Sequence, residues 1–265
     1  MALCMTVSVS GQAPQASGQV SSSPTTIERD QSALLALEQT LAAAGGSSAL
    51  QAVQGVLGTG SITLNVGDGL QGTVTIRSLN GQRFRSDITL SDGVRTAIAD
   101  GGSEVVRDGQ GKVRSHARPA AAANESFMFP YTQMLAAIAN PSMSIIDLGT
   151  VTHAGQQMRD IRTQMTFLDG SDPLGYRGIL TTRDFLVDPN TFLILSIMDT
   201  PNAQTVAQGT LLLDHELQFS GYQALNGVLV PFSSTEIMNG QQLSTITFSS
   251  ITLGATFTDA DFSFQ

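Results

Sequence analysis

The sequence is poor in the residues that mark several common classes of protein. Its 265 residues include no tryptophan and a single cysteine, Cys4, so no internal disulfide can form. Lys112 is the one lysine among thirteen basic residues, and the net charge is −9, which argues against nucleic acid as a partner. No run of apolar residues approaches the length of a membrane-spanning helix. These absences favour a soluble, β-rich protein whose core is large enough to be stable without disulfide bonds.

The first 26 residues differ in character from the rest of the chain. Residues 2–9 are apolar and are followed by small residues at 10–13 and by a tract rich in Gln, Ser and Pro. A short apolar run before small residues is typical of the end of a secretory signal, although no basic residues precede it here. We therefore expect residues 1–26 to be an export-signal remnant and disordered leader, and residues 27–265 to form a single domain. The protein is then periplasmic or otherwise exported.

A run of β-hairpins is predicted for residues 62–115. Asn-Gly and Asp-Gly pairs favour the positive φ angles of tight turns. Five such pairs interrupt the stretch, at residues 68–69, 80–81, 92–93, 100–101 and 108–109. Between them the polarity alternates, so that Val74 and Ile76 share one face of a strand and Thr75 and Arg77 share the other. The pattern predicts an antiparallel meander with one dry face, which something must cover.

Two helical patterns supply the expected cover. In residues 27–44, apolar residues recur at three- and four-residue spacing until Gly45-Gly46, which predicts an N-terminal helix. Pro130 suits the first turn of a second apolar helix, inserted between strands as a lid. The expected fold class is mainly β (α+β): a strongly curved antiparallel up-and-down sheet, or half-barrel, of about ten or eleven strands. Both helices would cover its concave face.

His215 is the polar residue that the pattern places in the interior. Residues 206–222 alternate without interruption, which predicts one strand with His215 on the same face as Leu213 and Phe219. A hydrogen-bonded interior histidine is the first interpretation, and a catalytic histidine whose partner is supplied by the fold is the second. The three histidines have no ligand spacing, and no Gly-x-Ser-x-Gly elbow occurs. We therefore assign no metal, no cofactor and no catalytic residue, and we favour a protein that is not an enzyme.

Basic residues are concentrated in one part of the chain. Residues 77–118 contain eight basic and five acidic residues, a local charge of +3, which leaves −12 for the remainder of the net −9. An arginine-rich sheet face of this kind binds anionic headgroups or a partner, or it is simply a solvated surface. The solvated surface is the more common case.

The order of several segments resembles the periplasmic lipoprotein-carrier superfamily. The resemblance rests on the N-terminal helix followed by Gly60-Ser61-Ile62-Thr63-Leu64, then Gly72-Thr73-Val74-Thr75-Ile76-Arg77 and Arg83-Phe84-Arg85. It continues in Phe127-Met128 and in the terminal Asp259-Ala260-Asp261-Phe262-Ser263-Phe264. It implies a half-open barrel with helices as a lid over a hydrophobic cavity. It also implies that a basic residue near Arg77 locks the lid, and that the partners are a lipid or acylated protein and membrane-associated delivery proteins.

The first hypothesis is therefore a carrier or chaperone that shields a lipid or acyl chain between sheet and lid. Nine methionines favour either an adaptable cavity wall or plain core packing, and the sequence leaves both open. A hydrolase or lyase that uses His215, and a structural envelope protein with a filled core, are the alternatives. The oligomeric state is not predicted. The predicted ligand-binding residues are Phe127, Met128, Phe129, Met134, Leu135, Ile138, Val74, Ile76, Phe84, Ile88, Leu211, Leu213 and Phe219.

Overall fold

The computed structural model describes residues 26–65, 69–101, 103–117, 126–172, 175–200, 203–206, 209–212 and 214–264. Side chains are not described for residues 116–117, 203–206 and 209–212. The predicted leader lies outside these residues except for Thr26, and the division into leader and single domain stays a prediction. None of the described helices is long and apolar enough to cross a membrane.

Four α-helices and seventeen strands are found in the described part of the chain. The helices are α1 Gln31–Ala43, α2 Ser47–Gln51, α3 Tyr131–Ala139 and α4 Tyr176–Thr181, followed near the C-terminus by a 3-10 helix, Asp259–Phe262. The strands are β1 Gly55–Leu64, β2 Leu70–Leu79, β3 Arg83–Leu90, β4 Gly93–Asp100, β5 Ser103–Arg107, β6 Val113–Ala117, β7 Met143–His153, β8 Gln156–Met165, β9 Arg183–Val187, β10 Ile194–Asp199, β11 Ala203–Val206, β12 Gly209–Leu212, β13 His215–Ser220, β14 Gln223–Leu225, β15 Val228–Val230, β16 Ser233–Met238 and β17 Gln241–Leu253.

Thirteen of these strands form one open antiparallel sheet. Its order is β6-β5-β4-β3-β2-β1-β17-β16-β13-β10-β9-β8-β7, so the first and last strands meet in the middle. The strands β1–β6 form one half of the sheet as a simple meander. The strands β7–β10, β13 and β16 form the other half, interrupted by the separate hairpins β11–β12 and β14–β15. The predicted fold class is confirmed, and the sheet is larger than the ten or eleven strands expected.

The Asn-Gly turns fold as their chemistry predicts. Asn80 and Gly81 have φ angles of 56° and 64°, and Asn239 and Gly240 have 49° and 75°. Two consecutive positive φ angles define the tight turn whose twist matches the flanking strands. These turns join β2 to β3 and β16 to β17, and they fix which residues lie opposite each other in each hairpin.

Both predicted helices pack on the same face of the sheet, which we call the inner face. In α1, Ala33, Leu37 and Leu41 are almost completely buried, and the helix packs on β7 and β8. The helix ends at Ala43 and is followed by Gly45, whose φ of 123° and lack of a side chain allow Gly227 O to approach. A Cβ atom at Gly45 would lie 2.4 Å from that oxygen. The end of α1 is thereby seated against the β14–β15 hairpin.

The uninterrupted strand predicted for residues 206–222 is wrong. Strand β12 ends at Leu212 and pairs only with β11, whereas β13 begins at His215 within the large sheet. Between them, Asp214 and Asn239 exchange two hydrogen bonds: the Asp214 N–H donates to Asn239 Oδ1, and the Asn239 N–H donates to Asp214 O. The period of two continues through this junction, and periodicity alone cannot reveal that the chain changes sheets.

Candidate ligand cavity

The segment that leads into α3 is anchored in the core. Met128 and Phe129 are at most 1% exposed, as is Met134 on the helix. Met128 lies against β1 at Gly58, where a Cβ atom would be 3.0 Å from its Sδ and 2.9 Å from Phe248 Cε1. Glycine within a strand marks a close approach of another group, so Gly58 provides the seat for Met128. Leu135 and Ile138 pack against the core and remain partly exposed.

A cavity of about 150 Å³ lies on the inner face beneath Phe127. Of the predicted ligand-binding residues, it is lined by Val74, Ile76, Phe84, Ile88 and Phe127. The remaining lining residues are Ile62, Leu64, Ser86, Ala97, Glu104, Glu236, Ser244 and Ile246. Its wall is therefore mostly apolar, with its charged groups confined to two carboxylates.

Not every predicted ligand-binding residue reaches this cavity. Phe219, Met128, Phe129 and Met134 belong to the packed core, and Leu135 and Ile138 pack against that core. Leu211 lies on β12, outside the large sheet, with its side chain not described. Leu213 lies outside the described residues. The role in ligand binding of every predicted residue, including the five that line the cavity, stays a prediction.

The two carboxylates show how strongly the sheet is curved. Glu104 lies on β5 and Glu236 on β16, six strand spacings apart in the sheet order. Neighbouring strands are separated by about 4.8 Å, so a flat sheet would hold these residues roughly 29 Å apart. Both nevertheless line one cavity of about 150 Å³. The inner face must therefore bend around the cavity, as the half-barrel prediction requires.

Charges of alternating sign lead to the cavity across four adjacent strands. Arg183 on β9 lies 3.8 Å from Asp199 on β10, measured from Nε to Oδ2. Asp199 Oδ1 is 2.7 Å from His215 Nδ1 on β13. His215 Nε2 is 3.6 Å from Glu236 Oε1 on β16, and Ser244 Oγ donates to Glu236 Oε2 at 3.0 Å. The row ends at Glu236, which lines the cavity.

His215 is held as a cation by its neighbours. Burial by itself lowers its pKa, but the carboxylates of Asp199 and Glu236 outweigh burial and raise the pKa to about 9. The side chain is 13% exposed and shares the inner face with Leu217 and Phe219, as predicted. Sequence reasoning missed Asp199 and Glu236. The β16–β17 turn could have indicated the Glu236–Ser244 pair, whereas Asp199 reaches His215 through strands that are not joined by a short turn.

Arg77 lies on the opposite, outer face of the sheet. Its strand neighbour Ile76 points into the core, and alternation turns Arg77 away from it. There Arg77 Nη1 donates to Asp87 Oδ2 at 2.8 Å. The predicted locking of a lid by Arg77 stays a prediction, and the contact that the structure gives this residue is with Asp87.

Three of the eight basic residues in 77–118, namely Arg83, Arg85 and Arg107, contact the C-terminal segment of the same chain, residues 255–264. Arg83 Nη1 donates to Asp259 Oδ1 at 2.7 Å, and its guanidinium lies 4.6 Å from the centre of the Phe262 ring. Arg85 Nη1 donates to Ser263 O at 2.7 Å. These contacts give the outer-face arginines a structural partner, an alternative that the sequence did not indicate.

A second polar cluster occupies the outer face of the other half. Glu216 Oε1 accepts hydrogen bonds from Ser196 Oγ at 2.7 Å and from Gln218 Nε2 at 3.0 Å, and it lies 2.7 Å from His153 Nε2. Nearby Asp160 is 9% exposed, and burial together with the Asp184 carboxylate raises its pKa to about 7. Within the described residues, no three His, Cys, Asp or Glu side chains form a group able to hold a metal ion.

Comparison with known proteins identifies the fold. No protein-family profile matches the sequence, and no curated protein matches it. Among solved structures, a LolA superfamily protein from Nitrosomonas europaea matches with a TM-score of 0.52 at 10% identity. A DUF1329 family protein from Desulfovibrio piger matches with a TM-score of 0.52 at 13% identity. A domain named for outer membrane lipoprotein sorting, from Vibrio parahaemolyticus, matches with a TM-score of 0.51 at 11% identity. Each alignment covers 87% of this chain and 97% of the other.

The predicted resemblance is confirmed at the level of the fold. Similarity at 10–13% identity establishes a shared architecture and leaves function to be argued from the site.

Proposed function

We propose that the protein is an exported carrier or chaperone that shields a lipid or acyl chain between its curved sheet and its helical cover. The observation that supports this most directly is the apolar cavity on the inner face. Each methylene group removed from water contributes about 0.8 kcal/mol, so an aliphatic chain binds without a polar anchor at every carbon. The shared fold with lipoprotein-sorting structures fits this proposal.

The size of the cavity bears on how a ligand could enter. A void of about 150 Å³ is smaller than ligand sites in general, which occupy roughly 300–1,000 Å³. An acyl chain therefore requires the cover to move outward. Phe127 lines the cavity and is only partly buried, whereas Met128 next to it is fully buried. Loading and release would begin with Phe127 and proceed by displacing Met128 from its seat at Gly58.

A periplasmic or otherwise exported location follows from this role, with an acylated protein or a lipid as cargo. Membrane-associated proteins would deliver and receive the cargo, because the contacts that hold an aliphatic chain also oppose its release.

The enzyme alternative is supported by one observation, the hydrogen bond between His215 and Asp199. However, a histidine whose pKa is raised to about 9 is protonated at neutral pH, so His215 is poorly suited to act as a general base there and would have to act as a general acid. The other alternative, a structural protein with a filled core, does not explain the cavity. The carrier therefore fits the geometry better than either.

Native mass spectrometry of the purified protein, followed by organic extraction and lipid analysis, tests the proposal. We expect lipid or acyl species to co-purify with the natural protein. Phe127→Asp places a carboxylate at the cavity and should abolish this binding. Leu35→Asp introduces the same group at a side chain on α1 that is 53% exposed, and should leave binding intact. A ligand-free mass that does not change when lipids or fatty acids are added would reject the carrier.

A further inference from the structure

One end of the cavity is polar, and its charge depends on the row of charged residues formed by Arg183, Asp199, His215 and Glu236. Glu236 lines the cavity, whereas His215, Asp199 and Arg183 do not. The two cations of the row are therefore set back from the ligand space, and a carboxylate is presented to it. A row of two positive and two negative groups is neutral as a whole, but a ligand is influenced most by the group it meets first.

The hydrogen bonds within the row leave Glu236 able to accept more. His215 Nδ1 is engaged by Asp199 at 2.7 Å, whereas the 3.6 Å from His215 Nε2 to Glu236 Oε1 is longer than a hydrogen bond. Ser244 donates to the other carboxylate oxygen. A carboxylate has about four acceptor sites, so Glu236 retains capacity for a donor from the ligand.

We propose that the ligand has an aliphatic chain that ends in a hydrogen-bond-donating group, and that Glu236 receives this group, a protonated amine being preferred. This inference rests on the proposed function of the cavity. The net charge of −9 acts in the same direction over longer distances. Chains that end in a carboxylate or a phosphate are disfavoured, because their charge would face Glu236 in a partly dry site.

Competition between dodecyl chains with different head groups measures this preference. Dodecylamine, dodecanol and dodecanoic acid displace a neutral fluorescent probe, N-phenyl-1-naphthylamine, from the full-length protein at pH 7. We expect the amine to compete best and the acid least, with about a tenfold difference between them, since even a partly screened charge pair at close range supplies that much. An acid that competes as well as the amine overturns the inference.

Substitutions assign the preference to Glu236. Glu236→Gln should reduce the ratio between amine and acid by about tenfold, because it removes the charge that favours the amine. Glu38→Gln makes the same change on an exposed position of α1 and should leave the ratio unchanged. Glu236→Ala removes the same charge with a smaller side chain and should reduce the ratio by a similar factor, which keeps the inference open to rejection if Glu236→Gln does not fold.

The possible failures are distinguishable. If the probe and all three chains fail to bind, both the carrier function and this inference are rejected. If the chains bind with equal strength, or if Glu236→Gln keeps the natural ratio, the inference alone is rejected and the carrier function stands.

Discussion

The two halves of the sheet use the same strand pairing but fill their inner faces differently. In the half formed by β7–β10, helix α1 packs on β7 and β8, and Ile161 and Phe185 are completely buried beneath the cover. Against the half formed by β1–β6, the cavity lies between Ile76, Phe84 and Phe127, and it extends across β17 to Glu236 on β16. The outer faces differ as well, because the C-terminal segment lies over one and a buried polar cluster lies within the other.

This difference shows that hollow and packed regions can share one continuous core. Helix α1 packs directly on β7 and β8, whereas the segment held by Met128 leaves a cavity beneath Phe127. We expect the packed half to be the more rigid and the half that holds the cavity to be the more adaptable. Substitutions on either side should reveal the two roles.

The largest effect is expected from truncating matched phenylalanines in the two halves. Phe185→Ala removes a side chain with no exposed surface and should lower the free energy of unfolding by about 4 kcal/mol. Phe84→Ala should lower it by only about 2 kcal/mol, because one side of this ring already faces empty space and makes fewer contacts there. Urea denaturation measures both values. Equal losses would mean that the two halves are packed alike.

A smaller effect, of opposite sign, is expected at Asp160 on the outer face of the packed half. Its pKa is raised to about 7, so the folded state binds this proton more tightly than the unfolded state. Stability is therefore greatest below the unfolded pKa, near 4, and decreases as the pH rises towards 7. Asp160→Asn should stabilise the protein at pH 8 by roughly 2 kcal/mol and have little effect at pH 3.

Urea midpoints of both proteins from pH 3 to pH 8 test this expectation. If the two proteins differ by the same amount at every pH, the carboxyl group of Asp160 does not titrate between these limits.

The smallest effect is expected at the outer face of the hollow half. Arg85→Gln removes hydrogen bonds to Ser263 O and Asp87 and should lower stability by about 1 kcal/mol. It should also increase amide hydrogen exchange near the C-terminus. Arg95→Gln breaks an ion pair with Asp92 in an exposed turn, and this control should change stability by less than about 0.5 kcal/mol. Unchanged exchange in Arg85→Gln would show that other contacts suffice to hold the C-terminal segment.

Local chemistry explains the parts of the fold that could be predicted from the sequence. The Asn80–Gly81 and Asn239–Gly240 turns require positive φ angles that few other residue pairs adopt, so the hairpins could be predicted from these pairs alone. Spacing in α1 identified its buried face. The break after Leu212 could not be predicted, because hydrophobic alternation does not record which strand pairs with which.

The candidate site was only partly predictable for the same reason. Val74, Ile76, Phe84, Ile88 and Phe127 line the cavity as the alternation and the lid hypothesis indicated. Asp199 could not be assigned to His215, since the two strands are separated in sequence by the β11–β12 hairpin and become neighbours only through sheet pairing. The contacts of Arg83 and Arg85 could not be predicted either, because their partners lie on the C-terminal segment, which is distant in sequence.

The pairing of the first strand with the last has a consequence for synthesis and export. Until residues 241–253 are available, β1 has an open edge in the middle of what will become the sheet. Unpaired edges recruit other chains, and contacts between distant residues form slowly. A nascent chain is therefore at risk of aggregation until its last strand has been made, and it gains little by folding early. If the chain is exported unfolded, as proposed, a sheet that closes last at its centre delays folding until the whole chain has been made.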